Sequence, residues 1–410
     1  MPRDRGKQPR CDPDRLWVPS RLTVALLAGL TALAIVGVRA RIGFGTPVPG
    51  GVDFAYYPLQ ARSLLEGGGL AYADAPLLFG TDALLAGLRM QLSGIDITEA
   101  VVDAAVWRDV AIGALAVPLA FCLAMGVGGE ARSVLGGAIL GSLILGASPW
   151  SLSMVGNFGK QTAGAILCCS CWISAWLAIR RGSDREQWGR WLLTGMLVVA
   201  AAAAHVASAA LAVAGLLLIL GLGGALDPSR IRSVAGQAAA ALFAVLVAAG
   251  IAIAFAPQKL AAVVVFLRRL VTFRWSDADG LAGYGLAGVP DGPAVPWALA
   301  VWLALSCLTA VLSLRMVAMR RRAAERTVPG RMHPADIALF VSMQCLWIVV
   351  TCPLLGGDAP RIFLMCIGPI ALTLAFPVDR ILIACHPRPI PESMRRILPV
   401  VPLALSAAVC

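Results

Sequence analysis

Residues 191–226 read WLLTGMLVVAAAAAHVASAALAVAGLLLILGLGGAL, and this run decides the fold. As one helix it would measure about 54 Å, far longer than a hydrocarbon layer of roughly 30 Å. It therefore folds back as a tight hairpin of two membrane spans. The flanking segments agree. RRGSDREQWGR at 180–190 and DPSRIR at 227–232 are both basic, as expected if both ends of the hairpin return to the cytoplasmic face. His205, near the middle of the run, falls at the hairpin tip on the opposite, outer face.

Composition extends this reading to the whole chain. Of its 410 residues, 59% are apolar and only 14% charged, and the mean hydropathy is +0.81. A soluble domain does not need that much apolar residue, so the class is an all-α, polytopic integral membrane protein. A net charge of +11 would suit a nucleic-acid binder if it formed one patch. Instead the basic residues sit in short loops between apolar runs, which points to the anionic lipid surface and excludes nucleic acid. Abundant Ala, Arg and Gly with little Lys suggests a GC-rich bacterial genome. The expected location is thus a bacterial cytoplasmic (inner) membrane, crossed many times, with the N-terminus cytoplasmic and no cleavable signal peptide.

From the hairpin outward, about ten or eleven transmembrane helices are expected. Residues 1–21 form a basic cytoplasmic tail, and 22–410 one transmembrane domain. The first span is 22–38. Residues 39–103 make a first outer loop with interfacial helices at 54–65 and 76–92. Further spans are expected at 104–127, 133–147, 162–179, the hairpin, 234–254, 295–316, 336–354 and 362–378. Residues 255–293 are expected as an outer interfacial helix over 259–275 followed by a Gly- and Pro-rich flexible loop. The final run from 397 is short for a span. Arg108 and Asp109, at the start of the second span, are expected in the headgroup region as a pair. Roughly two thirds of the 34 Lys and Arg fall on the face assigned as cytoplasmic, as positive-inside asymmetry requires. Cys168, Cys169 and Cys171 share one apolar helix. Their spacing is not that of a zinc site, so they are expected as small core residues, and no structural disulfide is expected.

The same alternation brings the polar residues of chemical interest to the outer face: Asp53, Asp74, Asn157, Lys160, His205, Asp277, Asp279, Asp358 and Arg361. The first outer loop is the densest part, with GVDFAYYPLQARSLLEGGGLAYADAPLL at 51–78. Asp53, Tyr56, Tyr57 and Gln60 recur at helical spacing and share one face. A carboxylate can take the proton of an attacking hydroxyl, and cations can stabilise charge developing on a leaving phosphate. Each residue also has a plainer reading. The helix of Asp53 can be an ordinary interface helix, and Asp74 and Asp82 surface acids. His205 can satisfy the hairpin tip. Lys160 can be a snorkelling cation and Arg361 an interface anchor. Asp277 and Asp279 lie in a Gly-rich stretch and read as a solvated loop.

The acid after the first span, followed by Tyr-Tyr, Ala-Arg, Leu-Leu-Glu-Gly-Gly and Asp-Ala-Pro-Leu, resembles the first outer loop of the GT-C glycosyltransferase superfamily. So do GNFGKQ before a span, AAAAHVASAA in the hairpin and DAPRIFLMCIGPIAL near the end. The layout covers most of 20–380, while the motifs rest on far fewer residues. The resemblance implies a GT-C-like membrane core. It also implies a hexosyl- or pentosyltransferase that uses a polyprenyl-phosphate sugar donor and an acceptor it does not name. By that resemblance Asp53 would be the catalytic base or an acceptor-binding acid, and Arg361, and more weakly Lys160, would hold the lipid phosphate. Tyr56, Tyr57, Asp74 and His205 are expected as further substrate-binding residues. No organic cofactor is implied, and a divalent metal is left open. Phe54 stands where protein O-mannosyltransferases carry the second acid of an Asp-Glu pair, and the Trp-Trp-Asp motif of oligosaccharyltransferases is missing. These departures argue against a protein-glycosylating enzyme of known type. The rivals are a transporter or lipid flippase and a non-catalytic membrane protein of the same layout.

Overall fold

The computed structural model describes residues 20–45, 55–69, 76–148, 151–152, 155, 159–180, 184–227, 236, 239, 243, 247, 250, 307, 310–318, 332–351 and 367–385. Among them every regular element is helical. The helices in chain order are α1 (Arg21–Gly43), α2 (Tyr56–Gly67), α3 (Pro76–Ser93), α4 (Ile97–Ala114), α5 (Ala116–Val127), α6 (Ala131–Ala147), α7 (Gly159–Arg180), α8 (Asp184–Ala204), α9 (Val206–Leu226), α10 (Pro334–Thr351), α11 (Ile367–Ala375) and α12 (Val378–Cys385). Asp53, Asp74 and Arg361 lie outside the described residues. So do nearly all of the basic tail, the 255–293 segment, most of the spans expected at 234–254 and 295–316, and the final run.

Among the described residues, four helical stretches are long and apolar enough to cross a membrane: Arg21–Gly43, Ile97–Val127, Gly159–Arg180 and Ala207–Leu226. The chain is an all-α, multi-pass membrane protein. The expected hairpin is present. His205 adopts an extended conformation (φ −164°, ψ 118°) between α8 and α9. Both helices pack on α7, in opposite directions. Ser174 and Cys171 of α7 bond the backbone of Arg190 and Thr194 in α8, so the numbers run oppositely. Cys168 and Trp172 bond the carbonyls of Ser208 and Ala212 in α9, so the numbers run together.

Helix α7 is the centre of the bundle, and Trp172 and Trp176 on it are fully enclosed. Around it the chain alternates in direction. Helix α1 runs antiparallel to α4–α5, with Gly43 against Val106 and Arg39 against Asp109 and Gly113. Pro118 has no N–H for the Ala114 carbonyl, and the helix breaks at Leu115 between α4 and α5. The turn from α5 into α6 uses Gly128 and Gly129 at φ +73° and +147°, a region that residues with a Cβ avoid. Gly137 and Gly141 of α6 then let α11 approach closely. A Cβ there would stand 2.7 Å from the Ala375 carbonyl oxygen and 2.9 Å from that of Ala371, respectively, a Gly-xxx-Gly surface facing Ala-xxx-Ala.

Several boundaries differ from expectation. Helix α1 continues to Gly43, so Arg39 lies inside it and not at the start of a loop. Helix α4 begins at Ile97, capped by the Asp96 carboxylate, which accepts from the N–H groups of Thr98 and Glu99 at 2.6 and 3.0 Å. At about 1.5 Å per residue, the stretch Ile97–Val127 outruns the hydrocarbon layer by several turns. Its surplus is the post on which α2 and α3 pack.

Candidate functional site

One end of the bundle collects the C-terminal turn of α1, helices α2 and α3, the middle of α4, the start of α7 and the α8–α9 tip. The centre of this end is Arg108. Its Nε and Nη2 donate to Asp109 Oδ1 at 3.2 and 3.0 Å. Its Nη1 donates to Asp82 Oδ2. The pair Arg108–Asp109 forms as expected, but it is enclosed by protein and does not face lipid headgroups. Asp82, read from sequence as a surface or interface acid, is 0% exposed. The reason is pairing: charge tolerates burial when an opposite charge and hydrogen bonds accompany it.

Arg39 completes the cluster from α1. It is also 0% exposed. Its Nε donates to the Asp109 carbonyl at 3.0 Å, and its Nη1 donates to the Gly146 carbonyl at 3.1 Å and to Ser151 Oγ at 2.9 Å. Two arginines face two aspartates, and this pairing of opposite groups is what lets them lie enclosed together. Desolvation pushes the Asp82 carboxyl up to about 7, with Asp109 adding to the rise and the Arg108 guanidinium opposing it.

Tyr56 and Tyr57 are brought to this end, on the first turn of α2. The face they share with Gln60 is the helix's inward face: Tyr57 and Gln60 are each 1% exposed. Tyr57 lies under Arg108, with the guanidinium carbon 4.8 Å from the ring centroid. Its hydroxyl accepts the backbone N–H of Lys160 at 3.2 Å. Tyr56 packs edge-on against Phe79 of α3, centroids 5.3 Å apart, and the Lys160 ammonium stands 4.6 Å over the Tyr56 ring. Asp53 and Phe54 directly precede Ala55 in sequence.

His205 caps the same end one helical turn along α7 from Lys160. Its Nδ1 pairs with Ser208 Oγ at 3.0 Å. The tip sits close because α7 offers Gly164 there: a Cβ on it would overlap Ser208. Thus Tyr56, Tyr57, Lys160 and His205 are brought to one end.

Arg39, Asp82, Arg108 and Asp109 were not read as site residues. One sequence signal for them existed. Trp-Arg-Asp at 107–109 interrupts an apolar helix, and ionisable groups at such positions are costly without a role. Arg39 and Asp82 gave no such signal, because their partners lie 70 and 26 residues away.

No family model, curated protein or solved structure matches the chain.

Proposed function

We propose that the chain is a membrane glycosyltransferase. It moves a sugar from a polyprenyl-phosphate donor to an acceptor hydroxyl at the outer face of a bacterial cytoplasmic membrane. The observation that carries this reading is that Lys160, Tyr56 and His205 share one end of the bundle, with the helix that follows Asp53 seated against it. In the proposed step the acceptor oxygen attacks the anomeric carbon and its proton passes to the Asp53 carboxylate. The bond from that carbon to the phosphate oxygen breaks, and polyprenyl phosphate leaves with its charge met by Lys160 and Arg361. Tyr56, Asp74 and His205 hold the sugar or the acceptor. A single displacement inverts the anomeric centre.

A second reading, a transporter or lipid flippase, is favoured by one feature. Four ionisable residues, Arg39, Asp82, Arg108 and Asp109, are enclosed among helices, as ion and substrate pathways require. One experiment separates the two. Lipid-linked sugars and glycoconjugates are profiled in cells making the wild-type chain, Asp53→Ala or Lys160→Ala at equal membrane abundance. Transfer predicts that one glycoconjugate disappears and its polyprenyl-phosphate sugar accumulates. Profiles identical to wild type in both variants would remove the transferase reading.

A further inference from the structure

We infer that Tyr57 is a positioning residue, which together with the space left at Gly159 seats the first turn of α7 and so places Lys160. Tyr57 is almost fully enclosed, its hydroxyl is engaged by the Lys160 N–H at 3.2 Å, and its ring is covered by Arg108 at 4.8 Å. A residue so placed acts on a ligand through what it holds. What it holds is the backbone of Lys160, one of only three lysines in the chain, the others being Lys7 and Lys259.

Gly159 supports the same seat. A Cβ there would stand 2.6 Å from Arg108 Nη2 and 3.1 Å from Asp109 Oδ1. The start of α7 therefore rests directly on the buried ion cluster. Arg108 is in turn fixed by Asp82 and Asp109, which cannot shift without stranding a buried charge. Position passes from the cluster through Tyr57 and Gly159 to the Lys160 backbone, whose side chain reaches over the Tyr56 ring at 4.6 Å. That Lys160 then meets a lipid phosphate rests on the proposed transferase reading, while the seating of Lys160 does not.

The test uses the full chain in lipid nanodiscs and Tyr57→Phe, which keeps the ring under Arg108 and removes the hydroxyl that accepts the Lys160 N–H. Lysine acylation by a water-soluble succinimidyl ester is quantified by mass spectrometry as the Lys160-to-Lys259 ratio. Seating by Tyr57 predicts a change of about five-fold in that ratio, the size of one ordinary hydrogen bond, with unaltered helix content. A ratio equal to wild type overturns the inference. Gly159→Ala, which pushes the same turn away from Arg108, gives the same readout if the phenylalanine variant fails to accumulate. In the transfer assay the donor KM should rise and kcat fall together, because Lys160 meets the phosphate both in the bound donor and as it leaves, whereas a purely structural defect would lower the active fraction and so kcat alone. A wild-type chain without transfer activity removes the phosphate role alone, and the acylation ratio still decides the seating.

Discussion

The indole Nε1 of Trp176 donates to the Asp336 carboxylate at 2.8 Å, although the two lie 160 residues apart in sequence. This contact ties α7 to the start of α10 at the end of the bundle opposite Lys160. The same carboxylate oxygen lies 3.4 Å from Arg180 Nε. Asp336 is thus the acceptor for a buried indole and the counter-charge for a guanidinium at once. Asp336→Ala removes the indole's acceptor and this counter-charge, and should cost about 3 kcal/mol, the lower part of the range for breaking a buried pair because Arg180 keeps some solvent and its bond to the Val127 carbonyl. Asp336→Asn keeps an oxygen for Trp176 and should cost about half of that. Denaturation of the detergent-solubilised chain followed by tryptophan fluorescence measures both, and equal losses would refute the dual role.

Helix contact through small residues makes a second prediction. A Cβ on Gly141 would stand 2.9 Å from the Ala371 carbonyl oxygen and 2.7 Å from the Ala375 Cβ, and backbone cannot rotate away. Gly141→Ala should therefore destabilise the chain by about 1–3 kcal/mol through overpacking. Gly37 on α1 has nothing within 4 Å of the added atom, so Gly37→Ala should be neutral, or gain about 0.5–1 kcal/mol from helix propensity. The same denaturation assay compares them, and a Gly141→Ala variant as stable as Gly37→Ala would show that α6 and α11 do not pack as described.

The raised Asp82 carboxyl predicts a pH dependence of defined sign. Its pKa is about 7 in the folded chain against 3.8 for a free side chain. Between these values the unfolded chain has lost the proton that the folded chain retains. The folded state binds more protons, so its stability falls as pH rises from about 4 to about 7 and then levels off. Asp82→Asn removes the titrating group and should flatten that slope, while leaving an oxygen to accept from Arg108. Stability measured against pH in both chains tests this, and parallel profiles would place the titration elsewhere.

Sequence and structure agree where one physical limit dominates. Bilayer thickness forces 191–226 to turn back, and His205 is where it does. The same limit located α6 and α7 to within a few residues, but it began the second span at 104, where the helix starts at Ile97 and breaks at Leu115. It misplaced Arg39, because a charge was taken as the end of a span. In the fold α1 runs on to Gly43, and Arg39 donates to carbonyls of α4 and α6. The polar face of α2 was legible as a face but not in its direction. Hydroxyl and amide groups spaced along a helix look alike whether they meet water or a buried guanidinium, and only Arg108, on another helix, decides it. The closeness of α7 to the α8–α9 tip rests on Gly164, one glycine among 42, which nothing in the sequence marks.

Sidedness makes the last prediction. The positive-inside pattern sets the loops before α8 and after α9 in the cytoplasm and the His205 tip outside. Because α8 runs antiparallel and α9 parallel to α7, the His205 tip and the end at Asp227 lie on opposite faces if the hairpin spans. His205→Cys and Asp227→Cys, each introduced after replacement of the chain's 11 cysteines, can be labelled with a membrane-impermeant maleimide. Position 205 should label in intact spheroplasts, and position 227 only after permeabilisation. The reverse pattern would invert the assigned orientation and move Lys160 and Tyr56 to the cytoplasmic side. There a soluble nucleotide-sugar donor would be available and the need for a lipid-linked one would vanish. Labelling of both positions in intact spheroplasts would show that the α8–α9 hairpin does not cross the bilayer.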